Sequence, residues 1–403
     1  IASGGNYNTV VGDEAGTALT TGDENVFVGY VAGDAAVATS RNVGVGRGAL
    51  TTDVNGSRSV AVGAYTLTTQ NPATATEMYN TGVGYGAGSD ITTGFYNTLI
   101  GGLAGDALTD ADYNVAVGTV ALSADTLGSK STAIGYGTLD TQNFTTATDT
   151  FNTAVGYNAG TEVTTGIRNT LIGGAAGDAL TDADYNIAVG MGALGADTKG
   201  SKSVSVGVDS LASQNFTTAT DTFNTAVGYE AGLRVTTGIN NTLIGAGAGD
   251  ALTDADYNIS VGGFALSADT LGSRATAIGF GALNAQNFTT ATDNYNTAVG
   301  YYAGTAVTTG TNNTLIGGLA GDALTAAFEN TAVGESSLSS DTLGRRTVAI
   351  GSGALQTQNF TTATNTYNVA VGYDAGVLVT TGTLNTLIGG LAGDAITTGG
   401  SNV

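Results

Sequence analysis

The chain has 403 residues with no cysteine, no histidine and a single proline, Pro72. Without cysteine no disulfide can staple a core, and redox compartment cannot be read from thiol usage. Without cysteine and histidine the soft metal ligands and the commonest general base are both missing. Basic residues are scarce too: 11 Lys and Arg stand against 33 Asp and Glu, a formal charge of -22. That balance argues against a nucleic acid or an anionic membrane as partner. No run of about 18 apolar residues exists, so no membrane-inserted span is expected. The chain opens on Ile1, without Met or a signal sequence, as a processed or excerpted piece of something longer would.

What is abundant is glycine, 64 residues, without the strict triplet of collagen. Its placement is periodic. The stretch Asn152-Thr153-Ala154-Val155-Gly156 recurs along the whole chain at spacings of 17, 17, 17 and 21, a super-repeat of 72 residues. With its Asn as position zero, further starts are Asn80, Asn97, Asn114 and Asn169. A Gly follows four places on in every complete unit (Gly84, Gly101, Gly118, Gly135, Gly156, Gly173), preceded throughout by Val or Ile (Val155, Ile172). Super-repeats span 8–79, 80–151, 152–223, 224–295 and 296–367, with a partial one over 368–403. An unbroken repeat of this length overrides the two or three domains that chain length suggests, and reads as one elongated solenoid over 1–403. Asn402-Val403 opens a unit that never finishes, so caps and anchors are expected outside this segment.

Within a unit, small and branched residues alternate as in a short strand. High glycine density and the lack of a 3.6-residue period exclude a helix. A unit of 17 residues fits two short strands and two turns, one rung of an all-β parallel solenoid or β-roll. Rungs about 4.8 Å apart would give a rod of roughly 110 Å. Asn columns such as Asn152 and Asn169 would share hydrogen bonds along the stack. Val155 and Ile172 are expected inside the roll, and the long fourth rung, with its loop 142–151, outside as a ridge. A coil so thin has little core of its own, so its opposite apolar face should pack on further copies of the chain.

The stretches 152–160 (Asn-Thr-Ala-Val-Gly-Tyr-Asn-Ala-Gly) and 59–63 (Ser-Val-Ala-Val-Gly) resemble the head repeats of trimeric autotransporter adhesins. The longer phrase Thr-Thr-Gly-Ile-Arg-Asn-Thr-Leu-Ile-Gly-Gly at 164–174 resembles repeats in tail fibres of marine and cyanobacterial phages. The resemblance covers about 8–403 and implies a left-handed, homotrimeric parallel β-roll. Rungs here are longer than those of adhesin heads, so their turns should protrude further.

Several columns are candidate sites. Asp110 and Asp112, Asp182 and Asp184, and Asp254 and Asp256 form Asp-x-Asp-x-Asn runs like the opening of a calcium loop, without its Gly and distal Glu. The bland alternative is a solvated turn, and no cofactor other than calcium is suggested. Another Asp column, through Asp34, Asp106, Asp178, Asp250, Asp322 and Asp394, recurs like the scaffold, whereas a glycosidase carboxylate pair would be a single break in it. The chain is therefore not read as an enzyme. Phe144, Phe216, Phe288 and Phe360 in the long rung are candidate surface contacts, but the preferred reading is that they fill gaps between chains or brace the enlarged loop. Just before position zero runs an aromatic column, basic at every fourth place (Arg58, Lys130, Lys202, Arg274, Arg346), suited to cation–π stacking or to glycan. Ice binding would need an outward Thr-x-Thr array, whereas Thr170, Ile187 and Val204 look like an interior column.

The expected function is the shaft of a trimeric viral fibre, of a phage tail or capsid, displaying a receptor-binding tip. It would lie on the virion surface or outside cells. Partners would be the chain itself, other fibre or virion proteins at its ends, and a cell-surface glycan, with neither nucleic acid nor membrane insertion. The alternatives are a bacterial surface adhesin that binds host or matrix, and a tailspike-like glycan hydrolase.

Overall fold

A computed structural model describes residues 4–403, and every regular element among them is a β-strand. The chain is an all-β parallel solenoid. It divides into two compact units. One runs to Ser201 and takes in Thr217–Thr220; the other holds Lys202–Phe216 and Asp221–Val403.

In the first unit each rung contributes one three-residue strand, beginning with Thr9–Val11, Val26–Val28 and Val43–Val45. These pair in parallel, each residue opposite its equivalent one rung on, and the ladder continues through Thr153–Val155 and Thr170–Ile172 to Ile187–Val189. The second unit repeats the pattern from Val204–Val206 to Thr386–Ile388. Second strands are rarer than one per rung. Among the described residues they occur only where a third rung meets a fourth, as in Gly128–Ser129 with Thr148–Asp149 and Gly272–Ser273 with Thr292–Asp293. Elsewhere the far side is stacked turns, still bonded between rungs, as Thr109 N–H is to the Thr126 carbonyl at 2.9 Å. Left-handed backbone just before each Asn, at φ values of 52°, 57° and 59° for Tyr79, Tyr96 and Tyr113, interrupts the extended path there.

The Asn column decides which face is inside. Asn97 N–H donates to Asn80 Oδ1 at 2.9 Å, and Asn97 Nδ2 donates to the Ala111 carbonyl across the roll at 2.8 Å. Asn114 repeats both bonds, to Asn97 Oδ1 at 2.9 Å and the Gly128 carbonyl at 2.9 Å. An amide that satisfies a turn carbonyl on the opposite wall must point inward. Strand residues alternate with period two, so the residue two places on also points inward and those one and three places on point out. Ala154 and Leu171 are accordingly fully buried, while Val155 is half-buried and Ile172 is 39% exposed. This reverses the expected inside and outside. Val155 and Ile172 lie on the outer face because the inward places at this parity belong to Asn and to Ala or Leu.

The interior is narrow and its columns share volume. In rungs 80 and 97 the corners are filled by Ile91 and Leu108, and Gly88 and Gly105 leave room for them and for Leu99. Phe27 takes the place of Leu99 in the first super-repeat, and Gly44 and Gly33 make space against its ring. The second unit packs alike, with Val235 and Leu252 at the corners and Leu243 against Gly232 and Gly249.

The strand-ending glycines meet one another. A Cβ built on Gly84, Gly101, Gly118, Gly135, Gly156 or Gly173 would land on the carbonyl oxygen of its equivalent in the next rung. Their φ values of 137° to 145° are strained for any other residue.

Candidate functional site

The outer sheet face is the largest uniform feature. Position one carries Thr, Val or Ile and position three Val or Ile in every rung, with no charged residue in either column. Val62, Ile134, Ile172, Ile244 and Ile316 are each 37–39% exposed. The column of Thr170, Ile187 and Val204, expected inside, is thus outward, though Val115, Ile187, Val204 and Ile259 interrupt its threonines. On one border of the face lies the aromatic column (Tyr79, Tyr96, Phe151, Phe223), on the other a second set of rings (Tyr85, Tyr157, Tyr229, Tyr301), all exposed.

Rings of the first border spend their faces on one another and on cations. Tyr79, Tyr96 and Tyr113 stack at 5.1 and 5.2 Å with planes 6° apart. Arg58 lies 5.4 Å from the Tyr79 ring, and Lys130, Lys202 and Arg274 lie 5.2, 5.3 and 5.0 Å from Phe151, Phe223 and Tyr257. The same four cations pair with Glu77, Asp149, Asp221 and Asp293 at 2.8, 2.5, 2.5 and 3.0 Å. A sugar arriving here would meet mostly ring edges and paired charges.

The calcium candidates are engaged within the stack. Asp112, Asp184 and Asp256 accept from the backbone N–H of Phe95, Ile167 and Ile239 at 2.9, 2.8 and 2.8 Å. Asp110 and Asp254 accept from Thr93 and Thr237 at 2.5 and 2.7 Å, and Asp182 accepts from Thr181 at 3.2 Å. Burial raises the carboxyls of Asp112 and Asp256 above the ordinary range, against the pull of those N–H donors. Among the described residues no three carboxylates gather as a cation site would need. Asp106, Asp250 and Asp322 in the other column are also raised by burial, and each keeps one oxygen without a partner.

Phe144, Phe216, Phe288 and Phe360 are not surface contacts: each is only 6–7% exposed. The long rung turns back on itself, and its root is tied to a buried aspartate. Asp125 accepts from Gly128 N–H at 3.0 Å, Phe144 N–H at 3.1 Å and Gln142 Nε2 at 2.5 Å. Gln142 donates onward to Ser131 Oγ and accepts from Asn152 Nδ2, at 2.9 and 2.8 Å. The loop outside that root, Thr145 to Ala147, is exposed as a ridge would be. Asp269 with Gln286 and Phe288, and Asp341 with Gln358 and Phe360, repeat the arrangement.

Sequence reasoning missed this network, because an Asp inside a polar Asp-Thr-Leu-Gly-Ser turn reads as solvated. The signal was its fixed partner, a Gln 17 residues on. Burial raises the Asp125 and Asp341 carboxyls, and raises Asp53 furthest, to about 6. The difference is Pro72, which stands where Phe144 stands one super-repeat later and has no N–H to offer Asp53.

No known protein-family model matches the chain, and no curated protein matches it in sequence. Its placement therefore rests on the fold: a parallel β-solenoid repeat.

Proposed function

We propose that the chain is the shaft of a homotrimeric fibre, its function mechanical and not catalytic. The observation that carries this reading is the uncharged outer face of Thr, Val and Ile, continued at every rung. Eleven rungs per unit at about 4.8 Å, and a strip about 20 Å wide between the ring columns, give on the order of 1,000 Å² per unit. A stable association needs about 800 Å² per partner, and a lone soluble chain rarely leaves an apolar patch of this size in water. Flat faces meeting around one axis close a cyclic assembly and leave none over. Three copies, and a place in a viral tail or capsid fibre, are what the resemblance to adhesin heads and phage fibres adds. The -22 charge then lies on the remaining surface and keeps such fibres apart.

Mass measurement in native buffer tests the reading, with three copies expected and a stable monomer against it. Ile172→Asp together with Ile244→Asp should release monomers that keep the β circular-dichroism signal, because neither side chain is in the core. Trimers unaffected by both changes would place the interface elsewhere.

A further inference from the structure

One corner of the roll carries its own acceptors in every super-repeat but the fifth. In the second to fourth, the N–H of Phe95, Ile167 and Ile239 is received by Asp112, Asp184 and Asp256. The N–H of those aspartates is received in turn by Oγ of Ser129, Ser201 and Ser273, at 2.9 Å each. The first super-repeat keeps both bonds with serines: Asp23 N–H to Ser40 Oγ at 3.1 Å, and Ser40 N–H to Ser57 Oγ at 3.0 Å.

In the fifth, Phe328 stands in the place of the aspartate and Arg345 in that of the serine. Neither side chain can accept, so the N–H groups of Thr311 and Phe328 lose the acceptors that their equivalents have. Arg345 adds a third donor. Its guanidinium lies 4.2 Å from the Phe328 ring centroid, and its Nε is buried without a partner. Arg345 is in no ion pair among the described residues, although the chain holds 33 carboxylates. Its neighbour Arg346 is engaged, with Glu329 at 2.7 Å and the Tyr367 hydroxyl at 2.9 Å. Where three super-repeats place a carboxylate and a serine hydroxyl, this one places an aromatic ring, a cation and uncapped N–H groups.

We propose that this corner binds the carboxylate of an acidic saccharide, a uronic acid or similar sugar. The ligand's oxygens would meet the guanidinium edge and the N–H groups of Thr311 and Phe328, which in the other copies have aspartate and serine oxygens for acceptors. A planar carboxylate suits the guanidinium fork. Beside it lie polar groups that a sugar hydroxyl could join: Asn312 Nδ2, which donates to Thr311 Oγ1 at 3.2 Å, and the Tyr367 hydroxyl, which accepts from Arg346 at 2.9 Å. The site depends on the fifth super-repeat alone, not on how copies of the chain assemble.

Calorimetric titration of the full chain with a galacturonic acid trimer, a neutral galactose trimer and inorganic phosphate tests it. The acidic trimer should bind once per chain and the neutral one should not. Phe328→Asp combined with Arg345→Ser restores the internal acceptors, so this variant should melt no lower than the parent and bind at least tenfold more weakly. Failure of the parent chain to bind, undiminished binding by the restored variant, or equal binding of the neutral trimer would each overturn the proposal. Phosphate binding as tightly as the acidic trimer would overturn the assignment to a sugar.

Discussion

The first two rungs of a super-repeat and the last two follow one backbone path and fill it with opposite chemistry. In rungs 80 and 97 the corner is Ile91 or Leu108 beside a Gly, a small apolar core. In rungs 114 and 131 the same corner is Asp125 or Gln142, fully buried, beside Leu122 or Leu139. What the two halves share is the parity set by the Asn column and the glycine that ends each strand. What they do not share is the way the corner is satisfied. Dispersion contacts suffice in one half, whereas the other needs every hydrogen bond in place, since a buried polar group left alone is costly.

The largest effect should fall on what the halves have in common. Gly101→Val in a short rung and Gly135→Val in a long one should each cost more than about 4 kcal/mol, because both force a side chain onto a stacked carbonyl. Thermal melts giving clearly unequal losses would show that the glycine column is not shared equally. Next comes the polar corner. Asp125→Ala strips Gly128, Phe144 and Gln142 of their acceptor and should cost about 4 kcal/mol, against about 3 kcal/mol for Leu108→Ala. Denaturant titrations in which Leu108→Ala is the worse would invert the comparison.

A third effect is specific to pH. Burial raises the Asp53 carboxyl in the folded chain above its unfolded value, so folding favours the protonated acid. The stability this contributes is complete below the ordinary carboxylate range and fades as pH climbs through about 6. Asp53→Asn should flatten the rise in unfolding free energy between pH 7 and pH 4, read from denaturant titrations, by on the order of 2 kcal/mol. Pro72→Phe should flatten part of it, by returning an N–H donor. An unchanged slope in both would mean that Asp53 titrates normally. The smallest effect belongs to the rim: Lys130→Ala loses an exposed pair with Asp149 and should change stability by under about 1 kcal/mol.

Much of this was legible in the residues. The 17, 17, 17, 21 spacing, the parallel in-register stack and the strand-ending glycine could be read directly, because a solenoid repeats its geometry with its sequence. The inside and outside could not. Val155 and Ile172 look like core and Asn152 looks like surface when each is judged by hydropathy. The order is reversed because the Asn amide must reach a carbonyl on the opposite wall, and alternation does the rest. Phe144 fits the reading in which it braces the enlarged loop: its ring is buried and its N–H is held by Asp125, and only the alternative of a surface contact falls. Second strands were expected in every rung and formed only beside the polar corners, where the turns run parallel long enough to pair.

The four kinds of corner also fix how the gene for such a chain can grow or shrink. Each rung rests on a neighbour of a different kind: glycine-spaced leucine on valine, aspartate on leucine, glutamine on aspartate. Recombination between misaligned copies that removes or adds 72 residues leaves every corner on the neighbour it already had. Loss of a single 17-residue rung sets an aspartate or a glutamine against the wrong partner. A change of length that keeps every corner on a compatible neighbour therefore comes in steps of four rungs.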